Sequence, residues 1–195
     1  MVIVFTVVPK NKGLKRFTYL ALEELGISDN LINVRGEDVP FWVESLLEKN
    51  KEAIGLTGED LFTEYCLRIG SQLKILKKVE WDDPAALFRK PTLCLLGPSG
   101  RSLDQLPECQ TVFISSKYRF IAGRYLSVLE KRGLVFKKEY VSGSAESSFS
   151  TGLADLVIDI VYTGSSMSRL GLSVLDKIFP SDFVIIGGKN ESKNI

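Results

Sequence analysis

A run of hydroxyl residues and one glycine directly follows an acid that stands in an apolar stretch. Asp159 interrupts residues 156–162, which are otherwise apolar and rich in β-branched side chains, and residues 163–166 read Thr-Gly-Ser-Ser. Such a run predicts a buried parallel strand, and the spacing of Met167, Leu170 and Leu172 predicts a helix after the turn. Strand, small-residue turn and helix N-terminus together form a phosphate cradle. The acid at the strand's carboxyl end is then placed to bind a ribose hydroxyl, or Mg²⁺ carried by a substrate.

The same residues also permit a purely structural interpretation. Ser and Thr are common helix N-caps, and a strand tolerates an occasional acid. For the turn taken alone, capping is the simpler explanation. The length of the surrounding pattern favours the phosphate cradle.

That pattern extends from Glu146 to Met167 at fixed spacing. Gly152-x-Ala154 follows the glutamate, then Val157-x-Asp159-Ile160, and finally Thr163-Gly164-x-Ser166-Met167. It resembles the signature of the ATP phosphoribosyltransferase family, the first enzymes of histidine biosynthesis. The family usually has threonine where Ser166 stands, and serine keeps the hydroxyl group.

The resemblance implies a set of binding residues. The 5′-phosphate of phosphoribosyl pyrophosphate would lie on Thr163, Gly164, Ser165 and Ser166, with the ribose hydroxyls on Asp159. The same pocket would be lined by Ser142, Gly143, Ser144 and Glu146. No catalytic side chain or protein-held metal is implied, because Mg²⁺ enters with the substrate.

Two stretches in the first half of the chain extend the resemblance. Residues 9–14, Pro-Lys-Asn-Lys-Gly-Leu, follow an apolar strand, where the family has Pro-Lys-Gly-Arg-Leu. In this chain two residues, Asn11 and Lys12, stand between the lysine and the glycine, and no arginine follows Gly13. Residues 35–40 match the family's Arg-x-x-Asp-Val-Pro, after a β-hairpin that must be shortened or absent. Lys10, Lys12 and Arg35 would face pyrophosphate or the phosphates of ATP.

The order of elements predicts an α/β fold. Strands alternate with helices twice along the chain, which predicts parallel or mixed sheets. The acidic, proline-containing residues 80–91 predict a linker, and residues 172–178 a helix. The resemblance implies two lobes like those of periplasmic binding proteins with a cleft between them: residues 1–90 with 173–195, and residues 91–172.

Composition excludes several classes of function. The net charge of +1 over 195 residues argues against a polyanion-binding surface. The chain contains no histidine, so histidine-dependent catalysis and metal binding are excluded. The first apolar run is too short to span a membrane, and no leader is predicted. Three scattered cysteines predict reduced thiols and a cytoplasmic protein.

Two functions follow. The first is transfer of phosphoribose from phosphoribosyl pyrophosphate to N1 of ATP by a short-form enzyme lacking a C-terminal regulatory domain. It would act as a homo-oligomer, with or without a separate regulatory subunit. The second is a catalytically impaired homologue that binds nucleotides or phosphoribosyl compounds, or regulates a partner. A periplasmic amino-acid-binding protein would need export.

Overall fold

The computed structural model describes residues 3–143 and 145–188, which fold as two units. The first unit comprises residues up to 81 and from 182 onward, and the second comprises Asp82–Ser181. The strands are Val4–Pro9 (β1), Leu31–Val34 (β2), Glu52–Gly58 (β3), Lys74–Val79 (β4), Thr92–Pro98 (β5), Cys109–Ser115 (β6), Val135–Val141 (β7), Leu156–Val161 (β8), Leu172–Pro180 (β9) and Phe183–Gly187 (β10). The α-helices are Lys15–Leu25 (α1), Val39–Glu48 (α2), Glu59–Ile69 (α3), Arg119–Glu130 (α4), Ser147–Ser150 (α5) and Ser165–Arg169 (α6).

The first unit is built on a mixed sheet in the order β2-β1-β3-β10-β4. β1 pairs in parallel with β2 and β3, whereas β10 is antiparallel to both β3 and β4. One face packs on α2 through a cluster that includes Val7, Val43 and Val184. The sequence did not predict β2, because it has four residues at the sheet edge and only Val34 is buried.

The second unit has a mixed sheet in the order β7-β6-β8-β5-β9. β6 is parallel to β7 and β8, and β5 is antiparallel to β8 and β9. The predicted helix over residues 172–178 is wrong, since these residues form most of β9. Two register shifts in the β5–β9 pair disturb the alternation of β9, so its apolar spacing imitates a helix.

The structure also places the domain boundaries differently from the sequence. Residues 82–90 and 173–181 belong to the second unit, whereas boundaries at 90 and 172 assigned them to the first lobe. The boundary predicted at residue 172 moves to 181 because β9 pairs with β5 of the second unit. The expected linker contacts the second unit, because Leu87 N–H donates to the carbonyl of Tyr162 at 2.7 Å. The helix predicted after residue 163 stops early, as α6 ends before Gly171, whose φ is +72°.

The three cysteines are free thiols, and none of the described helices is long and apolar enough to cross a membrane. Burial raises the pKa of the Cys94 thiol to about 12. That thiol is therefore protonated and unreactive at neutral pH.

Close packing of α2 on β3 makes Gly55 a sensitive position. A Cβ atom there would lie 2.6 Å from Val43 Cγ2 and 2.7 Å from Val39 Cγ1, both on α2. We expect Gly55→Ala to destabilise the protein by ~1–3 kcal/mol in urea unfolding, the usual cost of overpacking a core. Gly123→Ala on α4, where nothing lies within 4 Å, is the matched control and should be neutral or mildly stabilising. Equal destabilisation by both changes would contradict this packing.

Candidate functional site

β8 carries the candidate acid into an apolar environment. Strand alternation places Asp159 on the same sheet face as Val157 and Val161. Those two valines belong to a buried cluster with Ala145, Cys94, Leu96, Ala154, Met167 and Leu172. A carboxylate among such neighbours is expensive to keep charged unless it gains a partner.

The surroundings of Asp159 raise its pKa. Burial is the largest cause, and the nearby charge of Glu146 acts in the same direction. The N–H of Ile160 donates to Oδ1 at 2.8 Å and, with the positive charge of Lys117, opposes the rise. The result is a pKa of about 6. Asp159 is therefore ionised at pH 7 while poorly solvated, a state suited to accepting hydrogen bonds from a ligand.

The loop after β8 exposes hydroxyl groups and peptide N–H groups together. Gly164 has φ +77°, a conformation that glycine adopts without strain, and α6 starts at the next residue. The Thr163 hydroxyl lies 3.1 Å from that of Ser165 and accepts a long 3.4 Å bond from the N–H of Ser165. In the described part of the chain the Ser166 hydroxyl has no hydrogen-bond partner. Helix geometry leaves the N–H groups of Ser166 and Met167 without helical acceptors.

Capping alone does not account for this loop. The N-cap position is Gly164, which has no side chain, and the described residues provide no side-chain cap bond for α6. Only Thr163 approaches that role, through the long bond to Ser165. The hydroxyl of Ser166 is exposed to solvent and available to an anion.

Residues 82–89 contact the loop and the strand end before it, which the sequence did not predict. A Cβ on Gly164 would lie 3.2 Å from Leu87 Cδ2 and 3.1 Å from Met167 Cε. Just before the loop, the Tyr162 hydroxyl donates to the carboxylate of Asp83. No local sequence signal links positions 79 residues apart, so only the fold could show this support.

The remaining residues predicted for this pocket lie at the end of β7 or just after it. Ser142 and Gly143 are exposed, Glu146 is half-buried, and Ser144 lies outside the described residues. Glu146 is close enough for its charge to raise the pKa of Asp159. Lys117 lies in the turn after β6, and its positive charge lowers the pKa of Asp159. The sequence did not predict this contribution. The position of Lys117 after the carboxyl end of a predicted strand was the available signal.

The basic residues predicted in the first half of the chain lie in the first unit. Lys10 and Lys12 follow β1, Arg35 follows β2, and all three are exposed. The N–H of Lys10 donates to the carbonyl of Val34 at 2.7 Å, which keeps the two loops adjacent. Among the described residues Arg35 has one ion pair, of 4.0 Å with Glu37, and 72% of its side chain is exposed. An exposed pair of this length contributes little stability, so the guanidinium can turn to a ligand.

The described residues contain no group of three or more acids, histidines or cysteines suited to holding a metal ion. A phosphate-bound Mg²⁺ would instead be coordinated mainly by the substrate and water.

Comparison with known proteins decides the family. A family model described as ATP phosphoribosyltransferase matches residues 35–194. The chain belongs to the ATP phosphoribosyltransferase family. The segment that the model matches includes Arg35, Asp159 and the whole loop of residues 163–166.

Named relatives agree with this assignment. The ATP phosphoribosyltransferase of Sulfurisphaera tokodaii is 32% identical over 165 residues, which cover 84% of this chain and 52% of the relative. That of Aquifex aeolicus is 27% identical over 88% of this chain and 70% of its own length. The chain spans about half the length of the first curated relatives it matches.

Solved structures agree on the fold. The ATP phosphoribosyl transferase (HisG:HisZ) complex from Thermotoga maritima gives a TM-score of 0.73 at 21% identity, covering 98% of this chain and 90% of that chain. The periplasmic aliphatic sulphonate binding protein SsuA from Escherichia coli gives 0.61 at 17% identity, covering 100% and 68%. The predicted α/β fold of the periplasmic-binding-protein type is thereby confirmed.

The raised pKa of Asp159 predicts how stability depends on pH. The folded pKa of about 6 exceeds the ordinary value of 3.8, so ionisation is harder in the folded protein. Stability from this group is present below about pH 4 and is lost as pH rises through 6, by ~2–3 kcal/mol. Asn does not titrate, so we expect Asp159→Asn to be more stable than wild type at pH 7.5 and to lose that advantage at pH 4.

Urea unfolding at the two pH values measures this effect. Asp155→Asn is the matched control. Its carboxylate accepts the N–H of Thr111 at 2.7 Å, so that substitution should bring no gain at pH 7.5. A loss of stability for Asp159→Asn at pH 7.5 would mean that Asp159 is a structural acid.

Proposed function

We propose that the protein transfers phosphoribose from phosphoribosyl pyrophosphate to N1 of ATP, releasing pyrophosphate. One observation carries the proposal. Within the described ranges the carboxylate of Asp159 accepts one hydrogen bond, from Ile160, and it is followed by a loop, residues 163–166, with exposed hydroxyl and N–H groups. Ribose hydroxyls would supply the hydrogen bonds that Asp159 lacks, and the 5′-phosphate would accept those that residues 163–166 can donate. The names of the relatives support this reaction over others that use the same substrate.

The reaction asks for positioning more than for acid–base chemistry. The bond from ribose C1 to the pyrophosphate oxygen breaks, C1 gains positive character, and the adenine N1 lone pair attacks it. N1 is already nucleophilic, so the chemistry proceeds without histidine. Asp159 and Glu146 place two negative charges near the ribose, where they favour the positive character that develops.

Lys10, Lys12 and Arg35 supply the positive charge for the departing pyrophosphate or for the phosphates of ATP. They are exposed and lie beside one another at the carboxyl ends of β1 and β2. No arginine follows Gly13, so Lys12 is the cation we assign to that part of the site. Mg²⁺ would accompany the pyrophosphate and reduce the charge these residues must neutralise.

A partner subunit is part of the proposal. The solved complex from Thermotoga maritima names a second component, HisZ. We infer a homo-oligomer of this chain that works with a separate regulatory subunit in the cytoplasm, where its free thiols stay reduced. The missing arginine after Gly13 favours one other function, a catalytically impaired subunit that still binds the substrates.

The deciding experiment measures binding and turnover in parallel. The protein is mixed with ATP, phosphoribosyl pyrophosphate and Mg²⁺, and product is followed by its absorbance and by released pyrophosphate, with and without a candidate regulatory subunit. We expect product from wild type and strongly reduced product from Asp159→Asn. Binding of phosphoribosyl pyrophosphate without product under either condition would identify the impaired subunit, and absence of binding would refute both functions.

Ser166 gives the sharpest test of the phosphate loop. Its hydroxyl has no partner in the described structure, so Ser166→Ala should leave folding intact and weaken phosphoribosyl pyrophosphate binding by about 1 kcal/mol. Ser166→Thr keeps the hydroxyl and should bind as tightly as wild type. Calorimetric titration compares them, with Ser168→Ala on the same helix as control. Gly164→Val should abolish binding, although its left-handed backbone would also strain the fold.

Equal affinities for wild type, Ser166→Ala and Ser168→Ala would show that the loop hydroxyl does not contact phosphate.

A further inference from the structure

In the first unit, the backbone of Gly36 is held from both sides by side chains of other elements. The N–H of Gly36 donates to Asn11 Oδ1 at 2.8 Å, and the carbonyl of Gly36 accepts the hydroxyl of Thr57 at 2.8 Å. Asn11 follows β1, Gly36 follows β2, and Thr57 lies near the end of β3. These two bonds therefore join the carboxyl ends of three neighbouring parallel strands. We call Asn11, Gly36 and Thr57 the loop clamp.

The clamp is closely packed around Gly36. Gly36 is buried, and a Cβ atom there would lie 3.0 Å from Leu61 Cδ1 and 3.1 Å from Leu14 Cδ1. The hydroxyl of Thr57 is buried as well, so loss of its bond to Gly36 leaves a buried polar group without a partner. The backbone at Gly36 is therefore tightly held, although Arg35 directly before it is exposed.

Two candidate cations project from this fixed backbone. Arg35 directly precedes Gly36 and Lys10 directly precedes Asn11. Both side chains are exposed, and long exposed side chains lose rotamer freedom when they bind. A fixed backbone removes the additional cost of ordering the loop, so the clamp pre-organises the cations without touching the ligand.

We propose that Asn11 is a positioning residue, whose amide oxygen holds Gly36 and thereby presents Arg35 and Lys10 to a polyphosphate. The inference rests on the proposed function and adds to it a residue outside the expected binding set. Asn11 is one of the two residues that separate Lys10 from Gly13 in this chain, whereas the lysine and the glycine are adjacent in the family pattern. The polyphosphate is the triphosphate of ATP or free pyrophosphate, which share the chemistry that Arg and Lys recognise.

Three variants separate positioning from support of the fold. Asn11→Ala removes the acceptor for Gly36. Asn11→Asp keeps an acceptor oxygen and adds a negative charge beside the cations. Thr57→Val releases Gly36 from the opposite side without changing any charge. Asn33→Ala, an exposed asparagine on β2 outside the clamp, is the matched control.

The full chain is titrated calorimetrically with ATP and, separately, with inorganic pyrophosphate, and melting temperatures are recorded. We expect Asn11→Ala to melt lower and to bind both ligands about tenfold more weakly. Asn11→Asp should melt like wild type and bind severalfold more weakly, because its added charge lies beside the cations. The weaker binding of Asn11→Ala, measured well below its melting temperature where the variant is fully folded, is the effect that a merely structural asparagine would not produce. Weakening confined to one ligand would place the phosphates of that ligand at this edge, and weakening of both would show that the edge accepts either polyphosphate.

The other results decide for or against the proposal. Wild-type affinity in both Asn11→Ala and Asn11→Asp would overturn it and leave the proposed function standing. If Asn11→Ala does not fold, Thr57→Val decides: a severalfold loss of affinity supports the clamp, and wild-type affinity refutes it. A wild-type chain that binds neither ATP nor pyrophosphate would refute the proposed function, and the role of Asn11 with it.

Discussion

Parallel strand pairing is the constraint on which the rest of this molecule depends. β1 pairs in parallel with β2 and β3, and β6 with β7 and β8. The carboxyl ends of these strands therefore meet at one edge of each sheet, and the following loops are forced together. The clamp in the first unit and the acid pair with its loop in the second both lie at such edges. Sheet geometry, more than loop sequence, brings these groups together.

Asp159 and Asp182 show how differently two acids can be used. Asp182 accepts the N–H of Trp81 at 2.9 Å and lies 3.3 Å from the ammonium of Lys78, so it is satisfied within the fold. Asp159 has the N–H of Ile160 as its short-range partner, and burial raises its pKa to about 6. Keeping Asp159 charged at neutral pH lowers the stability of the folded protein, a cost that is typical of functional sites.

The sequence predicted the parts of the site that are local. The strand, turn and helix around residues 156–169 are one continuous segment, so spacing alone placed Asp159 and the loop. The support from residues 82–89, the charge of Lys117 and the bond from Gly36 to Asn11 depend on distant parts of the chain, which no local pattern encodes. β9 was misassigned because its pairing shifts register twice, and a strand that shifts register loses the alternation by which sequence reveals it.

The position of β10 governs the order in which the chain can fold as it leaves the ribosome. This strand is an interior member of the first sheet, between β3 and β4, yet it is made after all of the second unit. The second unit is continuous, so it can complete its core while β3 and β4 still wait with unpaired edges. Phe183, Ile185 and Ile186 are fully buried once they insert. Nascent chains thus carry unpaired edges on β3 and β4 until β10 has been made, and unpaired strand edges are prone to pair with other chains.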